Sequence, residues 1–139
     1  MGLWYWLGLA FGLGVALGIV FAAALAQLRA GIVVACTGAA AAGFAIGFVW
    51  LGLAAAAAFA VGGVIGAFAA GELYRATLAR GGARAASALL LVLCGFAIGA
   101  LALAPAFGYL EGVLVLVIGS RLRRRSGKRY AGLRVLARD

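Results

Sequence analysis

Histidine is missing from this 139-residue chain, and acids, cysteine and proline are nearly so: three acids, two cysteines and one proline. Without histidine, and with Cys36 and Cys94 set apart in apolar sequence, no metal shell or thiol–imidazole pair can be assembled. Thr37, Ser87 and Ser120 have no base nearby, so their hydroxyls are expected to bond a carbonyl one turn back or a neighbouring helix. The expectation is therefore neither an enzyme nor a cofactor-binding protein. Both cysteines are read as small buried hydrophobes rather than a disulfide framework. Charge is scarce too, at 11% of residues against 68% hydrophobic. With a mean hydropathy of +1.20, the chain has too little polar surface to coat a globule in water. A water-soluble fold is excluded on that ground.

What remains is long apolar sequence. Tracts run from Leu3 to Leu28, Ile32 to Gly71 and Ala85 to Gly119, the last holding one acid, Glu111. A helix rises about 1.5 Å per residue, so the second tract would reach about 60 Å, roughly twice the hydrocarbon thickness of a bilayer. It must fold back, and Trp50, Leu51 and Gly52 are where the turn is expected. The third tract, about 52 Å as one helix, has Pro105 and Gly108 near its middle. Proline disfavours helix at the residue before it, which places that turn beyond Ala104. The fold class expected is an all-α integral membrane bundle of five transmembrane helices: Leu3 to Leu28, Ile32 to Trp50, Leu53 to Gly71, Ala85 to Ala104 and Phe107 to Leu122. Residues 1–122 form the bundle and residues 123–139 a basic cytoplasmic tail.

The net charge of +9 acquires meaning only from its placement. Arg121, Arg123, Arg124, Arg125, Lys128, Arg129, Arg134 and Arg138 follow the last apolar helix, as juxtamembrane clusters facing anionic lipid do. The other arginines, Arg29, Arg75, Arg80 and Arg84, lie at or beside two short breaks between apolar tracts. With five crossings all of them fall on one side, which the positive-inside rule makes cytoplasmic: N-terminus out, C-terminus in, across the cell (inner) membrane. The N-terminal residues Trp4, Tyr5 and Trp6 have no basic region before them, so the first segment is read as a retained helix with an interfacial aromatic belt. In the tail, Tyr130, Leu133, Leu136 and Ala137 can share one face of an amphipathic helix lying on the cytoplasmic surface. The expected partners are membrane lipids, anionic headgroups above all at Arg121, Arg123, Arg124, Arg125, Lys128 and Arg129, and not nucleic acid.

Among 23 glycines, many recur at four-residue spacing: Gly8 with Gly12, Gly14 with Gly18, Gly43 with Gly47, Gly62 with Gly66, Gly95 with Gly99, and Gly108 with Gly112. Each pair clears one helix face. Lipid tails are as apolar as the helices, so close backbone approach must supply the association that water supplies elsewhere. Ala58, Gly62, Gly66 and Ala70 extend one such stripe, leaving Phe59 and Phe68 for lipid or other grooves. Gly43-Phe44-Ala45-Ile46-Gly47 recurs as Gly95-Phe96-Ala97-Ile98-Gly99, which raises a parallel duplication of two helical hairpins as one reading and biased composition as the other.

Two acids need a role. Glu72 can pair with Arg75 one turn on. Glu111, inside an apolar helix, is read either as an interfacial carboxylate near the helix start that reaches water, or as a proton- or cation-binding group. The layout is similar to that of phage holins and equally to that of many accessory subunits, with no motif to separate them. The function expected first is a structural or accessory subunit, homo-oligomeric or part of a larger membrane complex, that packs through Gly/Ala helix faces. The alternative is a small transporter, channel or holin-like permeability protein that uses Glu111 or small-residue grooves.

Overall fold

A computed structural model describes residues 2–25, 27–28, 30–104 and 107–136, with side chains as far as Arg124. It is all-helical: α1 (Leu3–Leu25), α2 (Gly31–Leu51), α3 (Leu53–Leu78), α4 (Arg84–Leu101) and α5 (Phe107–Leu136). The expected connections at Arg29, Pro105 and Ala106 lie outside the described residues. The first four helices, with mean hydropathies of 2.0 to 2.3, are long and apolar enough to cross a membrane.

Several ends differ from expectation. α1 stops at Leu25 and α4 at Leu101, three residues early in each case, since the chain must leave the helix before its tight turns. α3 runs on to Leu78, seven residues past Gly71, because nothing from Glu72 to Leu78 breaks a helix before the Gly81-Gly82 pair. α5 stays helical through Leu136 with no break at Leu122, so the tail continues the last bundle helix instead of forming a separate one. The proposed face of Tyr130, Leu133, Leu136 and Ala137 lies outside the described side chains.

Gly52 alone joins α2 to α3. It sits at φ +83° and ψ −170°, donates its N–H to the Phe48 carbonyl and accepts from Ala56 N–H. That backbone region is almost closed to residues with a Cβ. The surroundings leave a methyl group room, so the cost of adding one is the dihedral strain itself. Gly52→Ala should therefore lower stability by about 1–3 kcal/mol, seen as a lower thermal midpoint of the detergent-solubilised protein. Leu53→Ala next to it, at a well-exposed position, should change stability by no more than about 0.5 kcal/mol.

α1 and α3 form the centre and touch every other helix. Gly14 and Gly18 approach Phe59, Gly63 and Ala67 in ascending order, so the two helices run in the same direction. α2 runs against α3, with Gly47 over Ala55 and Ala56 and Gly63 over Ala39. α4 runs against α1, since Gly95 meets Ala16 and Val20 while Ala102 lies at Gly12. α5 lies along α1 and α3 in their direction, with Gly108 beside Gly8 and Gly119 beside Ala69. The space between is filled by Val15, Ile19, Ala22, Ala67, Ala70 and Tyr74.

The two hairpins are not packed alike. α2 lies along α3 over most of its length, whereas α4 and α5 scarcely meet and each packs on the central pair instead. Gly43 and Gly47 face α3, while the matching Gly95 and Gly99 face α1. The repeated pentapeptide therefore serves two different interfaces.

Candidate functional site

The described chemistry separates to the two ends of the bundle. One end holds all three tryptophans, Trp4, Trp6 and Trp50, together with Tyr5 and Tyr109. The other holds Arg75, Arg80 and Arg84 at the α3–α4 connection and Arg121, Arg123 and Arg124 on α5. Arg125, Lys128 and Arg129 follow on the same helix, their side chains outside the described set.

At the aromatic end, tyrosines tie the first helix to α5 and to the chain just beyond α4. Tyr109 donates its hydroxyl to the Trp4 carbonyl at 2.9 Å, and Tyr5 donates to the Leu103 carbonyl at 3.3 Å. The Tyr109 ring stacks on Phe11 at 6.3 Å between centroids. Trp4 and Trp50 are 78% and 71% exposed. Below this girdle the backbones of α1 and α5 come together: a methyl group on Gly108 would overlap the Gly8 carbonyl oxygen, and one on Gly112 would overlap the Phe11 ring.

Glu111 lies in this seam. A methyl group built on Gly12 would sit 2.6 Å from Ala102 Cβ and 3.3 Å from Glu111 Oε2, which places the carboxylate over Gly12 beside the last turn of α4. The residue is only 7% exposed, and neither carboxylate oxygen has a hydrogen-bond partner among the described residues. The expectation that it reaches water as an interfacial group is corrected: glycines at positions 8 and 12 let α5 close onto α1, and that closure covers the side chain. The two Gly-x-x-x-Gly pairs at Gly8/Gly12 and Gly108/Gly112 were the sequence signal for it. A buried polar group without a partner costs free energy, and a buried charge without one costs far more.

Each of the remaining glycine pairs also meets the chain's own helices. Added methyl groups would overlap backbone oxygens of α3 at Gly14 and Gly18, and of α1 at Gly62 and Gly66. At Gly43 the neighbour is Phe59, which fills a groove instead of facing lipid. Gly99 is the loosest, with Ala16 Cβ at 3.4 Å.

Nearer the basic end, the Arg123 guanidinium lies 5.6 Å over the Phe68 ring, so that Phe68 carries a cation in the second half of α3. Glu72 and Arg75 are 3.8 Å apart on the same helix, a pair at the surface worth little to stability. Thr37 donates to the Val33 and Val34 carbonyls and Ser120 to the Val117 carbonyl. Ser87 is buried. Cys36 is half-buried, its thiol 3.8 Å from the Val64 carbonyl, whereas Cys94 is exposed on α4. Among the described residues no three of the His, Cys, Asp and Glu side chains come together as a metal shell.

Four helices of this length and apolarity, wrapped in exposed leucine, valine and phenylalanine, are those of a helical membrane protein. No family model, curated protein or solved structure matches the chain.

Proposed function

We propose that the chain crosses the cell (inner) membrane five times, N-terminus out and C-terminus in, and serves there as a structural or accessory subunit. The observation that carries the subunit reading is the filled centre: α1 and α3 are in backbone contact through Gly14, Gly18, Gly62 and Gly66, and the remaining space is taken by Val15, Ile19 and alanines. Among the described residues, one copy therefore offers no central route for solute. Because the glycine stripes are occupied by the chain's own helices, a second copy or a larger partner would dock on the outer faces of α2 and α4, where Val33, Phe44, Phe48, Leu90, Leu93 and Phe96 are exposed.

The fifth crossing is supported by the direction of α5 along α1 and α3, although its apolar stretch from Phe107 to Ser120 spans only about 21 Å. A stretch this short is accommodated by local bilayer thinning and by Arg121 and Arg123 snorkelling to the surface. The orientation is supported by the arginines at one end and the tryptophans at the other, and the exposed Arg121, Arg123 and Arg124 suit anionic headgroups.

A second reading, a small transporter or permeability protein, is favoured by Glu111, whose covered and unpartnered carboxyl is the kind of group that marks an ion or proton path. Reconstitution separates the two. For a subunit, purified protein in liposomes gives no proton or solute leak above empty vesicles, and a membrane partner co-purifies in fixed ratio. Leak that Glu111→Gln abolishes would replace the subunit reading with transport.

A further inference from the structure

We propose that Glu111 is a proton-binding site, holding the proton on its carboxyl group while covered in the α1–α5 seam and releasing it to water at the tryptophan end when that seam opens. The step is a simple exchange, carboxylic acid and water giving carboxylate and hydronium, with no other reactant. It rests on the five-crossing reading, which sets α5 in lipid, and it holds whether or not the protein conducts.

Three observations carry it. Both Glu111 oxygens are buried and unpartnered, so an ionised carboxylate there would lose its water without receiving a donor in return. A metal ion is a poor occupant, since hard divalent cations take six or more oxygens and among the described residues Glu111 has no second acid beside it: Glu72 and Arg75 lie at the far end of α3. A proton needs the carboxyl alone. Finally, Gly12 lies beside the carboxylate with no side chain of its own to bond it, and Ala102, at the C-terminal end of α4, packs on the same glycine while α4 scarcely touches α5.

The groups around the site leave the proton to Glu111. α1 and α2 contain no charged residue, α4 has only Arg84 at its opposite end, and the acid and base of α3 are at the basic end. The titratable neighbours are Tyr5 and Tyr109, and both hydroxyls are donated to backbone carbonyls. Once uncovered, the carboxylate is favoured by water and by the start of α5, only about 6 Å away along the helix.

Infrared spectroscopy of the protein in lipid nanodiscs tests this directly, because the whole chain has three acids and only two of them, Glu72 and Glu111, are glutamates. With carbon-13 glutamate, a protonated-carboxyl band is expected at neutral pH in wild type and in Glu72→Gln, where Glu111 is the sole glutamate. It should be absent in Glu111→Gln and should convert to carboxylate with the uptake of one hydroxide as pH rises. Dicyclohexylcarbodiimide, which adds to protonated carboxyls in apolar surroundings, should leave one adduct on the Glu111 peptide. A Glu72→Gln protein whose remaining glutamate is already carboxylate at neutral pH would overturn the proposal. So would conversion of the band by sodium or calcium at fixed pH, which would make the occupant a cation. Reporters after Ala106 and Asp139 on the same side would instead remove the fifth crossing while leaving the infrared result standing.

Discussion

Gly18→Ala is expected to destabilise the protein, while Gly99→Ala, the same exchange in a neighbouring helix, is neutral or stabilising. In both helices alanine gains up to about 1 kcal/mol of helix propensity over glycine. The difference lies in what the methyl group meets. At Gly18 it would overlap the Gly63 carbonyl oxygen and crowd the Ala67 nitrogen, both part of a helix backbone that cannot turn aside. At Gly99 it finds Ala16 Cβ at 3.4 Å, an ordinary contact. Relieving the first overlap means parting α1 from α3, the central pair, and overpacking of this kind costs about 1–3 kcal/mol even in cores able to adjust. Gly18→Leu should go further and abolish the folded monomer. Thermal midpoints of the two alanine variants in one detergent, read with the monomer yield of Gly18→Leu, check this. Equal midpoints for the alanine variants would mean that the α1–α3 approach is not what holds the bundle.

Glu111→Met should make the protein more stable, by about 1–3 kcal/mol, because it replaces two buried oxygens that bond nothing with apolar atoms of similar shape. The sign is unusual, since most substitutions of buried residues destabilise. It follows from the site: there is no hydrogen bond to lose and a desolvation cost to recover. A stabilising replacement at a position occupied by an acid is the pattern expected where an activity retains the acid against stability. The midpoint of Glu111→Met beside that of Leu110→Met, its exposed neighbour on α5, is the comparison to make. A lowered midpoint for Glu111→Met would mean that the carboxyl has a stabilising partner.

The apolar tracts made the helices readable, because crossing a bilayer demands length and apolarity and both are written directly in sequence. The turn at Gly52 was readable too, from arithmetic alone: about 60 Å of apolar helix has to double back. Helix ends were less so, as hydropathy reports where lipid would stop and not where backbone hydrogen bonding stops. That is why α3 continues through Glu72 and Arg75, and α5 through its arginines. Partnership was not readable at all. A Gly-x-x-x-Gly pair says that some backbone approaches, but Gly43/Gly47 and Gly95/Gly99, identical over five residues, face different helices. Glu111 stood out as an acid in apolar sequence, yet its burial depends on the meeting of two glycine pairs more than ninety residues apart in the chain, a tertiary fact.

Membrane topology is the most direct test of the account. Paired reporters, one active only in the cytoplasm and one only outside, fused after Arg29, Trp50, Arg80, Ala106 and Asp139, should read in, out, in, out, in. Asp139 reporting from outside would contradict five crossings with the arginines held in the cytoplasm.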